Sequence, residues 1–162
     1  MRIEYIRPFT DACRTVFKQT IGIDVEIGEA MDRPSPYPVG DISIIVGLSG
    51  DVQGQAVLSL SHQVAAGFAS AMLGGAEIVE LDDMARSSLS ELMNIVLGAT
   101  VGLFAARSMQ VDISPPTLLM GASILVSLEK TETVCVPLYW DNRSKSIELD
   151  ISIASSHIMK TP

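Results

Sequence analysis

Glu91 and Asn94 are the residues of this chain whose types and spacing could do chemistry. A carboxylate accepts hydrogen bonds and can meet a cation, while a carboxamide both donates and accepts. On a helix these two lie one turn apart, on one face, with Ser87 a turn before them. The pattern Ser87-x-x-x-Glu91-x-x-Asn94 is short. Glu-x-x-Asn also arises by chance and also fits an ordinary solvated helix face, so its surroundings must decide what it means.

Other candidates fail on residue type or spacing. His62 and His157 are single, with no nucleophile or ligand set nearby in sequence. The serines form neither a GxSxG elbow nor an SxxK pair. No phosphate-cradling GxxxxGK[ST] or GxGxxG is present. Glu29, Asp32, Asp41 and Asp51 read as loop carboxylates that nothing pairs into an acid–base dyad. Cys13 and Cys135 stand far apart in apolar runs, without a CxxC or a Cys/His cluster. They are expected to be buried thiols in a reducing compartment, and no metal site is expected. The chain therefore lacks a self-contained catalytic apparatus.

The element that must position Glu91 and Asn94 is the longest predicted helix, opened by Asp82 or Asp83 and reaching about Arg107. Its acidic start and basic end suit the helix dipole. Ala85, Leu89, Leu92, Val96, Ala99, Thr100 and Leu103 share one arc, which predicts the core face. Ser87, Glu91, Asn94, Gly98, Gly102 and Ala105 form a separate stripe turned away from it. Each interior glycine costs a helix about 1 kcal/mol relative to alanine. That cost makes sense where another backbone comes close. The neighbour could be part of the same chain or of a partner, and only a partner explains why Glu91 and Asn94 share the stripe.

Elsewhere, Pro8 and the apolar spacing from Phe9 to Phe17 predict a helix over 8–20, stopped by Gly22. Ile23, Val25 and Ile27 alternate as a strand. Prolines 34, 36 and 38 mark a loop or an extended edge. Ile42–Leu48 and Val52–Leu60 predict a hairpin turning at Ser49-Gly50-Asp51. Ser61 caps a helix running through Met72, ended by Gly74-Gly75. After Pro115-Pro116 the pattern is β: one strand over Leu118–Leu128 with Gly121 as the point where it could bend, another over Thr133–Trp140, a turn at 141–144 and a last strand over Ile147–Ile153. The expected class is α+β, an antiparallel sheet with packed helices, in one domain over 1–154 with a polar, frayed tail over 155–162. The order of elements suggests a loose two-fold arrangement of halves.

The 162 residues carry a net charge of −8 and no basic stripe, which argues against nucleic acid and against an anionic membrane surface. Hydrophobic residues make up 48% and charged ones 19%, against roughly 25% charged in an average domain. One domain of this size cannot easily hide so much apolar surface, which points to a subunit or partner interface. The charged N-terminus is no signal peptide, and the uncharged run Leu92–Ala106 is too short to span a bilayer, so a cytoplasmic protein is expected.

With these residues in view, the sequence resembles the CheC/CheX/FliY family, phosphatases of the chemotaxis response regulator CheY. The resemblance rests on Ser87-x-x-x-Glu91-x-x-Asn94 followed by Pro116, on Tyr5-Ile6-Arg7-Pro8-Phe9 running to Gly22, on the hairpin around Ser49-Gly50-Asp51, and on Met72-Leu73-Gly74. CheC carries two copies of the motif, on two related helices. Here the first helix has none, so CheX is the closer type. The resemblance implies an exposed motif helix across an antiparallel sheet and a homodimer joined by strands. It implies that Asn94 orients the attacking water, that Glu91 pairs with the regulator's lysine, and that Ser87 and Gly98 lie in the docking face. Mg²⁺ would sit on the regulator, with no cofactor on this chain. A non-catalytic adaptor of the same fold, or an unrelated enzyme binding a small acid, would be the competing readings.

Overall fold

The structure is a computed structural model that describes Met1 and residues 3–155. The expected polar tail and His157 lie outside the described residues, apart from Ser155, whose N–H donates to the Lys130 carbonyl (2.8 Å). Helix α1 spans Ile3–Val16 and runs into a π-helical turn, Phe17–Ile21, closed by Gly22 at φ 68°. It begins earlier than the expected residue 8, with Pro8 inside the helix. Proline withdraws one donor there, and the earlier start brings Tyr5 into register with the buried Phe9, Ala12, Cys13 and Val16.

Three two-residue strands follow: β1 (Glu26–Ile27), β2 (Met31–Asp32) and β3 (Tyr37–Pro38). Then come the hairpin β4 (Ile42–Gly50) and β5 (Gly54–Leu60), helix α2 (His62–Met72) and helix α3 (Asp83–Ala105). The hairpin turns later than the sequence suggests, over 51–53. A short strand absent from the sequence reading, β6 (Val111–Ile113), holds β4 extended by pairing with Leu48, Ser49 and Gly50. Gly50 has φ 94°, and a Cβ there would meet the Gln110 carbonyl oxygen at 2.4 Å. The run read as one strand over 118–128 is two: β7 (Thr117–Met120) pairs with β4, and β8 (Leu125–Val126) pairs with β3 in a separate two-stranded sheet. Strands β9 (Thr131–Trp140) and β10 (Lys145–Ala154) complete the chain.

The main sheet is antiparallel, ordered β1–β9–β10–β5–β4–β6, with β2 also on β9 and β7 also on β4. The two halves trade strands. Strand β9 of the second half carries β1 and β2 of the first, and β4 of the first carries β6 and β7 of the second. Strands β5 and β10 meet at the centre, so the topology is a pseudo-two-fold.

Alternation divides the sheet faces. Ile44, Leu58, Val136, Leu149 and Ile151 join the helices in one core. The other face holds Ser43, Val57, Cys135, Asp150 and Ser152, all buried. There Arg33 clasps β10, with Nη1 3.1 Å from Asp150 Oδ2 and Nη2 2.8 Å from Glu148 Oε2. Both cysteines are free and buried, as expected, and each thiol is pushed up to about 12, chiefly by burial.

Candidate functional site

Helix α3 starts where Asp82 Oδ1 accepts the Ala85 N–H (2.9 Å), and it packs against both α1 and α2. Ala85, Leu89, Leu92, Val96, Thr100 and Phe104 are buried, while Ala99 and Leu103 are half-buried. The polar members of that side satisfy themselves within the helix. Ser88 Oγ donates to the Ala85 carbonyl (2.7 Å) and Thr100 Oγ1 to the Val96 carbonyl (2.8 Å). By length and hydropathy α3 could cross a membrane. Here its apolar side fills the core, and its outer side carries Ser87, Glu91 and Asn94, all exposed.

Neither Glu91 nor Asn94 has a hydrogen bond or ion pair among the described residues, so both side chains are available to a visitor. The glycines bear on the two neighbours considered from sequence. A Cβ on Gly98 or Gly102 would meet nothing within 4 Å. Among the described residues no other part of this chain comes close to them, so this face of α3 is open.

Asn94 and Gly98 open on a groove of about 510 Å³. Leu97 and Val101 complete its helical wall, and residues 111–115 of β6 and the following turn form the other. That second wall is tied to the sheet. Ser114 N–H donates to the Gly47 carbonyl (3.0 Å), and the Gly47 N–H donates to Ser114 Oγ (2.8 Å). Pro115 lines the groove and Pro116 lies one residue beyond it, while Ser87 and Glu91 continue the exposed stripe outside. The structure thus brings Asn94 and Gly98 into the groove and sets Glu91 and Ser87 along its approach.

Two residues of this face escape a sequence reading. Met84 (65% exposed) and Ile95 (38%) stand on the same outer side of α3. Their apolar character reads as core in a sequence, and only their phase on the helix could have flagged them. Among the described residues no cluster of His, Cys, Asp and Glu could hold a metal ion. The arrangement can present one carboxylate, one amide and an apolar rim to another macromolecule.

A family model described as chemotaxis phosphatase CheX matches residues 42–138, a span that includes α3 and both groove walls. The chain belongs to the CheX family. The CheY-P phosphatase CheX of Thermotoga maritima is 30% identical over 115 residues, covering 67% of this chain and 70% of that protein. A crystal structure of a CheX–CheY–BeF₃–Mg²⁺ complex from Borrelia burgdorferi matches with 30% identity and a TM-score of 0.78, covering 94% of this chain and 99% of that one. A CheC-like superfamily protein from Shewanella sp. PV-4 shares the fold at 19% identity, with a TM-score of 0.83 and coverage of 94% and 99%. The α+β architecture expected from sequence is therefore the CheX fold.

Proposed function

We propose that this chain is a protein aspartyl-phosphate phosphatase that dephosphorylates a CheY-like response regulator. The observation that carries the reading is Asn94. It is exposed and unpaired at a groove mouth, on a helix whose next turns are cleared to glycine. The matched relatives add support, one being named a CheY-P phosphatase and the other a complex with CheY and Mg²⁺.

The regulator brings a phosphoaspartate and its Mg²⁺, which supplies the electrophilic activation. Asn94 holds a water in line with the phosphorus, its amide donating and accepting as a positioning group does in GTPases. Glu91 pairs with the regulator's active-site lysine and fixes the docking. Gly98 lets the regulator's backbone approach α3, and Ser87, Met84 and Ile95 extend the contact. No strong base is needed, because the acyl phosphate is already activated on the partner.

The chain works as a cytoplasmic homodimer joined by strands in this reading. The exposed Met31, Met120 and Leu125, all on strands, are the apolar surface that a second copy covers. Light scattering at micromolar concentration should give twice the 17.3 kDa chain mass, and a monomer would refute the dimer.

The deciding experiment incubates a phosphorylated regulator and Mg²⁺ with the protein. Phosphate loss should accelerate, and nitrophenyl phosphate should not be hydrolysed. An unchanged regulator half-life, or robust turnover of the small ester, would refute the assignment.

A further inference from the structure

The pseudo-two-fold gives the motif groove a counterpart. Setting the buried Tyr5, Phe9, Cys13 and Phe17 against the buried Leu92, Val96, Thr100 and Phe104 puts Glu4 opposite Glu91 and Arg7 opposite Asn94. A groove of about 390 Å³ runs there between α1 and β1. Its helical wall includes Arg7, Thr10, Asp11 and Arg14, the same positions as Asn94, Leu97, Gly98 and Val101, and Gly28, whose N–H donates to the Pro137 carbonyl, stands where Ser114 stands in the other.

The chemistry of the two grooves differs. In place of the cleared stripe of α3, α1 presents Asp11 opposite Gly98 and Thr15 opposite Gly102. A partner that needs close backbone approach is kept off. Arg7 and Arg14 are exposed, and their guanidinium groups make no hydrogen bond or ion pair among the described residues. Two free guanidinium groups on a chain of net charge −8 are a local reversal of sign. Ile6 and Ile27 are half-buried beside them and Ile3 is exposed, which supplies an apolar floor and rim.

We propose that the α1–β1 groove docks an extended, acidic segment of a partner protein, distinct from the contact made at α3. Arg7 and Arg14 are seven residues apart, about 10.5 Å along a helix. Three residues of a polyproline II segment span about 9.3 Å. The occupant therefore carries two carboxylates three residues apart, with aliphatic side chains between them set on Ile3, Ile6 and Ile27. Asp11 lies between the arginines and disfavours a third carboxylate at the centre.

The test uses the full protein and a fluorescent peptide, Glu-Ile-Val-Glu-Leu-Asp-Asp, read by anisotropy. Its first four residues have the required spacing, and the whole also occurs at 77–83 of this chain. Binding should weaken at least tenfold in the Arg7→Glu/Arg14→Glu variant, weaken with added salt, and persist in Asn94→Ala. A peptide with lysine at both glutamate positions should not bind. Equal binding to wild type and the double variant, or none up to millimolar peptide, overturns the proposal. Sedimentation of the protein alone separates a second copy from a foreign partner. If the double variant changes the assembly state without peptide, the groove is a self-contact and the partner assignment is overturned. A thermal melt of the variant matching wild type shows that lost binding is not lost folding.

Discussion

Phe9 of α1 meets Phe104 of α3 edge to face, with ring centroids 5.7 Å apart and planes at 79°. Aromatic pairs in this geometry contribute about 0.5–1.5 kcal/mol beyond their burial. The contact pins the C-terminal end of α3 from behind and leaves the opposite side, with Asn94 and Gly98, facing out.

Asn94→Ala should lower kcat about 10²-fold, roughly 2.7 kcal/mol of barrier, with little change in regulator affinity. The melting temperature should stay within a degree or so of wild type, because the side chain is exposed and unpaired. Initial rates against regulator concentration, beside a thermal melt, check both halves of this statement. An intact kcat would move the protein to the adaptor reading.

Glu91→Ala should weaken regulator binding as well as turnover. Truncating one partner of a charge pair desolvated in an interface costs on the order of 2–5 kcal/mol. Titration of the variant by calorimetry checks it, and unaltered affinity would remove Glu91 from the docking contact.

Gly98→Leu should separate stability from function in opposite directions. Leucine replaces a poor helix former where a Cβ meets nothing, so α3 gains up to about 1 kcal/mol. The same side chain obstructs a docking backbone, so regulator binding should fall sharply. A raised melting temperature with undiminished turnover would show that the glycine face is not approached.

Asp150 should make stability depend on pH in a particular direction. Burial raises its carboxyl from 3.8 to about 6, against the opposing pull of Arg33. The folded chain then holds the proton more tightly than the unfolded one. The group's stabilising contribution is complete below about pH 4 and is lost as pH rises through about 6, at most about 3 kcal/mol. Relative to Asp150→Asn, wild type should gain stability between pH 7 and pH 5, measured by urea unfolding at each pH. Parallel profiles for the two proteins would refute the account.

How much of this was legible in the sequence follows from which signals are local. The N-cap at Ser61, the limits of α3 and the last two strands were readable, because caps and periodicity state themselves within a few residues. The outward stripe of Ser87, Glu91 and Asn94 was legible for the same reason. Strand β6 was not, since three residues hold no period, and the second wall of the groove went with it. The break between β7 and β8 was hidden because alternation continues when a chain leaves one sheet for another. No local signal marks Asp150 as buried, and only the Arg33 segment folded over that face of the sheet shows it to be so.

The two walls of the motif groove come from consecutive elements, α3 and β6, separated only by residues 106–110. The groove is thus a contiguous cassette of the chain, framed by the sheet and written in one stretch. Insertions in distant loops leave its shape alone. One extra residue between Ala105 and Val111 that shifted β6 by a single position would turn every side chain of that wall to the other face of the sheet. That five-residue connection is therefore where length, more than composition, is constrained.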